Sequence, residues 1–327
     1  QREQVTDSYT RRLLAAETEE ATGRRFDPDT ELIVTTGASE AVSMCGLALL
    51  GPGDEAIIPQ PAWNHYWAVV EMAGATPVAL PLDVNDGYRL DPERLARAIT
   101  PRTRLLVLNT PGNPSGAVQS AEDLEAIAQL ADKHGFYVLC DEVYKDFVFE
   151  GAHVSIARFM VGSDRLIYLN SLSKSDAMTG WRVGWAAAAA PVSDALNRVH
   201  QYLTVCGVPF AQHGALAALA HPGRRDYLNA MGAAFARRRE IWIQAFKDCP
   251  GVTLQPPKGA FYLFPRIDFQ GLDGMAFARH MLETQGLAMV PWDVVGSSYR
   301  HHVRISYGMG EETQQRAADR FKEAMGG

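Results

Sequence analysis

The sequence is poor in cysteine, lacks a long apolar run and carries no block of basic residues, and each shortage excludes a class of protein. Its four cysteines, Cys45, Cys140, Cys206 and Cys249, stand far apart and outside metal-ligand spacing. That argues against a disulfide scaffold or a zinc site and leads to the expectation of reduced thiols in a cytoplasmic protein. No stretch is apolar for long enough to cross a bilayer and none has the pattern of a signal peptide, so no membrane partner is expected. The formal net charge is −7 with no basic run to offset it, and no nucleic-acid partner is expected either. Small anionic ligands would have to be met by single arginines. His301 and His302 have no acidic or cysteine partner at ligand spacing, and no metal site is expected.

What the chain has is length, core and alternation. At 327 residues and 47% hydrophobic it is long enough for one large domain or two ordinary ones. Residues 2–22 read as a charged helix with Leu13, Leu14 and Ala15 as its apolar stripe. From residue 31 onward, strand-like runs near 31–35, 55–58, 76–80, 105–108, 137–140, 165–170 and 183–188 alternate with helical patterns, among them 92–99 and 121–134. The alternation implies an α/β fold, a mostly parallel central sheet covered by helices, with ligands beyond the carboxyl ends of the strands. After helical runs at 191–202, 209–220 and 225–248 the remainder reads as α+β, with strands expected at 252–254, 259–264, 287–290 and 302–306 and helices at 275–285 and from 312. The expected organisation is therefore an N-terminal helical segment 1–22, a large domain 23–230 and a smaller α+β C-terminal domain 231–327, with a bend near residue 230. The Arg237, Arg238 and Arg239 cluster is expected on a solvated helix face.

Residues 171–185, SLSKSDAMTGWRVGW, set Lys174 among Ser171 and Ser173, with Arg182 eight residues on. A lysine must be neutral to attack a carbonyl, and cationic neighbours favour that form. Hydroxyls and a guanidinium fork suit a phosphate. Upstream, the run Thr36, Gly37, Ala38, Ser39 follows a strand and opens a helix, which presents free backbone N–H groups to an anion. It is not a G-x-G-x-x-G turn, which weakens a dinucleotide reading. Two more strands end in polar motifs: Asn109-Thr110-Pro111-Gly112-Asn113-Pro114-Ser115-Gly116 and Asp141-Glu142-Val143-Tyr144.

With S-x-S-K followed by G-x-R-x-G, and with the Asn113 motif close to N-P-x-N-P-T-G, nearly the whole chain resembles the class I/II aminotransferases of pyridoxal phosphate (PLP) fold type I. The resemblance implies a PLP enzyme that moves an amino group from an L-amino acid to a 2-oxo acid, with Lys174 as the Schiff-base lysine and Asp141 and Tyr144 beside it in catalysis. It further implies a phosphate held by Gly37, Ala38, Ser39, Ser171, Ser173 and Arg182, and a ring stacked on Trp63. Asp141 would pair with the ring nitrogen, and Asn113 and Tyr144 with the phenolic oxygen. Arg304, with Asn113 and Trp63, would receive the substrate. On the residues alone, Trp63 reads rather as helix packing and Arg304 rather as a solvent-facing strand residue, while Asp141 reads equally as an N-cap. Glu142 is expected in the shell around the site.

The resemblance also implies a homodimer, and it places ahead of residue 1 an arm that closes over the cofactor and a tyrosine lent to the neighbouring subunit. One departure stands out. Where the family commonly has Pro-Gly, this chain has Pro291-Trp292-Asp293, and the bulky ring is expected to reshape the substrate pocket near Arg304. A PLP-dependent lyase, cyclase or oxidase on the same scaffold is the alternative reading. A non-catalytic PLP-sensing domain of a DNA-binding regulator is a third, against which the acidic balance weighs.

Overall fold

The computed structural model describes residues 8–247, 249–292 and 297–326. The expected helical residues 2–7, Asp248 at the end of the long charged run, and Asp293 lie outside them. The first element is α1 (Ser8–Thr22), whose Leu14 and Ala15 are buried. Seven strands follow: β1 (Leu32–Thr35), β2 (Glu55–Gln60), β3 (Thr76–Pro81), β4 (Thr103–Asn109), β5 (Tyr137–Asp141), β6 (Leu166–Ser171) and β7 (Gly184–Ala188). They form one sheet in the order β1-β7-β6-β5-β4-β2-β3. The pairs β2/β3, β2/β4, β4/β5 and β5/β6 are parallel, and β7 runs antiparallel to both its neighbours. The mostly parallel sheet expected from the alternation is thus present.

Its strands read as near-continuous apolar runs because both faces are covered. On β4, Leu105 and Val107 enter one core while Leu106 and Leu108 enter the other, as the period of two in a strand requires. Ile167 and Leu169 divide from Leu166 and Tyr168 on β6 in the same way. One core is roofed by α2 (Ala38–Leu49) through Ala41, Val42 and Cys45, and by the later helix Ala190–Leu203 through Val192 and Leu196. The other is roofed by α5 (Ala121–His134) through Leu124, Ile127, Ala128 and Ala131, an i, i+3, i+4, i+7 stripe. Local signals bound α5 as well: the Ser120 side chain accepts from Asp123 N at one end, and Gly135 at φ 75° closes the other. Between these lie α3 (Asn64–Met72) and α4 (Pro92–Ala98).

Beyond β7 come α6 (Ala190–Leu203), α7 (Pro209–Leu219) and α8 (Arg224–Lys247). Helix α8 runs unbroken across residue 230. Two small sheets then form, one pairing β8 (Val252–Thr253) with β10 (Arg266–Ile267), the other ordered β11 (Val290–Pro291), β12 (Val303–Ser306), β9 (Tyr262–Leu263). Helices α9 (Gly274–Gln285) and α10 (Glu311–Met325) pack on them through Phe277, Met281 and Phe321.

Two details differ from expectation. The strand expected over 259–264 is reduced to β9, because Ala260 sits at φ 59° and breaks the extended backbone. Arg239 leaves the solvated face expected for it. It is buried, donates from Nε to Pro257 O at 2.6 Å, and pairs with Glu150.

Candidate active site

Parallel strands deliver their carboxyl ends to one edge of the sheet, and the polar motifs lie there. The ladder pairs Asn109 with Asp141 and Asp141 with Leu169, so two motifs start side by side. At this edge a cavity of about 260 Å³ is lined from seven separate stretches of chain: Ala38 and Ser39; Trp63 and Tyr66; Asn109 and Asn113; Asp141, Val143 and Tyr144; Ser171, Ser173, Lys174 and Arg182; Tyr262; and Arg304. Every candidate residue except Gly37 therefore faces one space. Gly37 abuts the guanidinium of Arg182, which lines it.

Lys174 sits on a single helical turn (Leu172–Ser175) at the end of β6, capped by Ser171, whose Oγ accepts from Ser173 N at 3.0 Å. The lysine is half-buried, and its Nζ lies 5.8 Å from the centre of the Phe261 ring. Burial first, then the charges of Arg182 and Arg304, push its pKa below the ordinary lysine value, against the opposing pull of Asp141. This neutral-favouring setting is what a nucleophilic amine needs.

Arg182 takes φ 57° and donates to Thr179 O at 2.9 Å and to Thr36 O at 3.4 Å. Its guanidinium is thereby laid against Gly37. A Cβ on Gly37 would stand 2.4 Å from Arg182 Nη2, and the backbone there is at φ 80°, so a glycine is required twice over. The Ser171 and Ser173 hydroxyl oxygens are 2.7 Å apart. Together with the first turn of α2 they make a compact set of donors suited to an anion.

Across the cavity, Asp141 is fully buried. Tyr66 OH donates to its Oδ2 at 2.5 Å, and Val143 N to its Oδ1 at 3.2 Å. Burial nevertheless raises its carboxyl to about 6, more than those two hydrogen bonds lower it. Such an acid favours a cationic partner. Tyr144 OH shares a 2.9 Å hydrogen bond with Tyr262 OH. Asn113 accepts at Oδ1 from Arg304 Nη1 at 3.0 Å, and its backbone N–H is held by Asn109 Oδ1 at 2.8 Å. The Arg304 guanidinium lies 4.7 Å from the ring centre of Tyr262 and 5.7 Å from that of Trp292. It faces the cavity from its strand.

Glu142 points away from the cavity, where its carboxylate lies 2.9 Å from His153 Nε2. Burial would raise its pKa, but the charge and hydrogen bond of His153 outweigh that and hold it low. Four lining residues carried no role in the sequence: Tyr66, Asn109, Val143 and Tyr262. Tyr66 had a usable signal, since it stands three residues after Trp63 on the face of α3, and the two rings meet edge to face at 5.4 Å. Tyr262 had none, because its place depends on β9 pairing with β12, Ser306 opposite Tyr262.

The model of the family described as aminotransferase class I and II matches residues 2–321. The aromatic-amino-acid aminotransferase 2 of Thermococcus litoralis is 35% identical over 316 residues, covering 96% of this chain and 81% of its own length. The arginine–pyruvate transaminase of Pseudomonas aeruginosa is 36% identical over 311 residues, 95% of this chain and 78% of that one. The crystal structure of an aromatic aminotransferase from Pyrococcus horikoshii superposes with a TM-score of 0.93 at 34% identity, covering 98% of this chain and 86% of that one. The chain belongs to the class I and II aminotransferases. It is an aminotransferase with the α/β architecture of PLP fold type I.

Proposed function

We propose that the cavity binds pyridoxal phosphate and exchanges an amino group between an L-amino acid and a 2-oxo acid. The observation that carries this reading is the convergence of one amine, Lys174, one buried carboxyl, Asp141, and two guanidinium groups, Arg182 and Arg304, on a single cavity. The residues fit the cofactor. Gly37 leaves room that a Cβ would fill beside Arg182, giving a phosphate its cradle with Ser39, Ser171 and Ser173. Asp141, a buried carboxyl raised to about 6, would gain a compensating charge from a protonated ring nitrogen beside it. Trp63 offers a ring face, and Tyr144 and the amide nitrogen of Asn113 offer donors to a phenolic oxygen.

When bound, pyridoxal phosphate supplies an aldehyde for an amine and a ring that withdraws electrons from the substrate Cα. Arg304 holds the substrate carboxylate with a planar fork and so fixes the direction of the Cα–H bond. Lys174, its pKa lowered by burial and by the charges of Arg182 and Arg304, would take the Cα proton and pass it to the carbon of the former aldehyde. Asp141 keeps the ring nitrogen charged, with Tyr66 orienting the carboxylate. Mixing cofactor-loaded enzyme with an amino acid donor should release one equivalent of 2-oxo acid and no ammonia. Ammonia or peroxide released without conversion of the cofactor to pyridoxamine phosphate would overturn the transamination reading in favour of elimination or oxidation.

The proposal extends to organisation. We take residues 23–230 as the cofactor-binding domain and 231–327 as a smaller domain that brings Tyr262 and Arg304. The enzyme is proposed to work as a homodimer in the cytoplasm. Exposed apolar side chains at Trp181, Tyr202, Val205 and Phe210 support a second copy as partner, and the free thiols of Cys45, Cys140 and Cys206 support a reducing compartment. No helix among the described residues is long and apolar enough to cross a membrane.

A further inference from the structure

We infer that Trp292 is a positioning residue for the carboxylate clamp, its indole face holding the Arg304 guanidinium ready for an incoming carboxylate. The inference rests on the reading of Arg304 given above. Its basis is the register of the small sheet. Strand β11 pairs Val290 with Arg304 and Pro291 with Val303, and Trp292 N continues the ladder by donating to His302 O at 3.1 Å. Residues 302 and 304 share a face of β12, as do 290 and 292 across from them, so Trp292 is the diagonal neighbour of Arg304. Diagonal neighbours are within reach of each other when the side chains are long or aromatic.

The side chains use that reach. The Arg304 guanidinium lies 5.7 Å from the Trp292 ring centre and 4.7 Å from that of Tyr262. Among the described residues its side-chain hydrogen bond is to Asn113 Oδ1. Two aromatic rings and one acceptor thus hold the fork, while donors remain for a ligand. Trp292 is itself fixed, 4% exposed and edge to face with Phe264 at 5.5 Å. Phe264 stacks in turn on His302. Trp292 does not line the cavity, so it acts through Arg304 and not by touching substrate. A glycine at this place would leave that side of the guanidinium without a ring.

The test separates ring face from bulk and from indole N–H. Trp292→Leu keeps an apolar side chain without a π face, and Trp292→Phe keeps a π face without the N–H. Each variant would be loaded with PLP and titrated with propionate, a carboxylate with no amine, by calorimetry, and with propylamine, an amine with no carboxylate, by the change in cofactor absorbance. For Trp292→Leu the propionate Kd should rise about 5- to 30-fold, the range of a partly desolvated cation–π contact. The propylamine response should stay unchanged, and KM for amino acids should rise with kcat nearly constant. Trp292→Phe should restore the propionate Kd to within about threefold of wild type. Wild-type affinity in the Leu variant would overturn the inference, as would a Phe variant as weak as Leu, or equal losses for both probes. Failure of the wild-type protein to take up PLP at all would instead overturn the reading on which the inference rests.

Discussion

At the scale of the residue, the chemistry is set by two groups pushed off their ordinary pKa in ways that burial dictates. Asp141 moves from 3.8 to about 6. Between those values the folded protein binds more protons than the unfolded chain, so stability falls as pH rises through that window. The loss attached to ionising this one group is of order 3 kcal/mol. In cofactor-free protein, Asp141→Asn should therefore gain stability relative to wild type between about pH 4 and 6, read as a difference of denaturant midpoints. Parallel curves would contradict the assignment. Glu17, Glu40 and Glu142, whose pKa values are lowered, act with the opposite sign and cancel in the difference. The same substitution should lower kcat about 100- to 1,000-fold, because a neutral amide no longer holds charge on a ring nitrogen. Lys174 titrates below an ordinary lysine in the cofactor-free protein, so the rate at which that protein captures PLP should rise with pH to a plateau reached below the ordinary lysine range, as rapid-mixing absorbance at a series of pH values would show.

At the scale of the element, the site depends on how strands hand over to helices. Gly37 is the sharpest case. Gly37→Ala combines a left-handed backbone with a clash on Arg182. It should cost about 1–3 kcal/mol of stability and weaken PLP binding about 10- to 100-fold through displacement of the guanidinium. Gly51, with ordinary φ and open space around it, should accept alanine within about 0.5 kcal/mol. Elements with local signals were legible in the sequence. Helix α5 lies at 121–134 as read, since its stripe, its Ser120 cap and Gly135 are all local. Strands β2, β4 and β5 each extend one or two residues beyond their apolar runs, because the ladder continues into the polar ends that carry Gln60, Asn109 and Asp141. What depends on distant packing was not legible. The shortening of the 259–264 strand follows from Ala260 at positive φ, where Gly259 approaches Phe147 O and Pro111. Arg239 is buried by its contacts to Pro257 and Glu150, neither of which its own helix reveals. The candidate site was read largely through motifs at strand ends; Tyr262, which pairs with Tyr144, comes from a remote strand and carries no motif.

At the scale of the whole molecule, a buried ion network joins parts of the chain that the sequence keeps far apart. Glu17 on α1 meets Lys145 at 2.8 Å and Arg224 at 2.9 Å, while Arg224 also grips Asp176, two residues beyond Lys174. The first helix, the lysine turn and the start of α8 are thereby tied together. Glu17→Gln strips one carboxylate from two buried cations and should cost about 3 kcal/mol at neutral pH. Burial raises the Glu17 pKa, but Lys145 and Arg224 outweigh it and lower the value below 4.5. The contribution is therefore present above the ordinary glutamate pKa and is lost as pH falls through the lowered one. Denaturant midpoints of the variant and wild type should converge in acid. The central claim, that seven stretches of this chain fold together to present Lys174 to pyridoxal phosphate, has a direct measurement. Protein incubated with PLP, reduced with borohydride and digested should carry the pyridoxyl mass on the peptide containing Lys174, with Lys174→Ala unlabelled. Label on another lysine, or none in the wild-type protein, would contradict it.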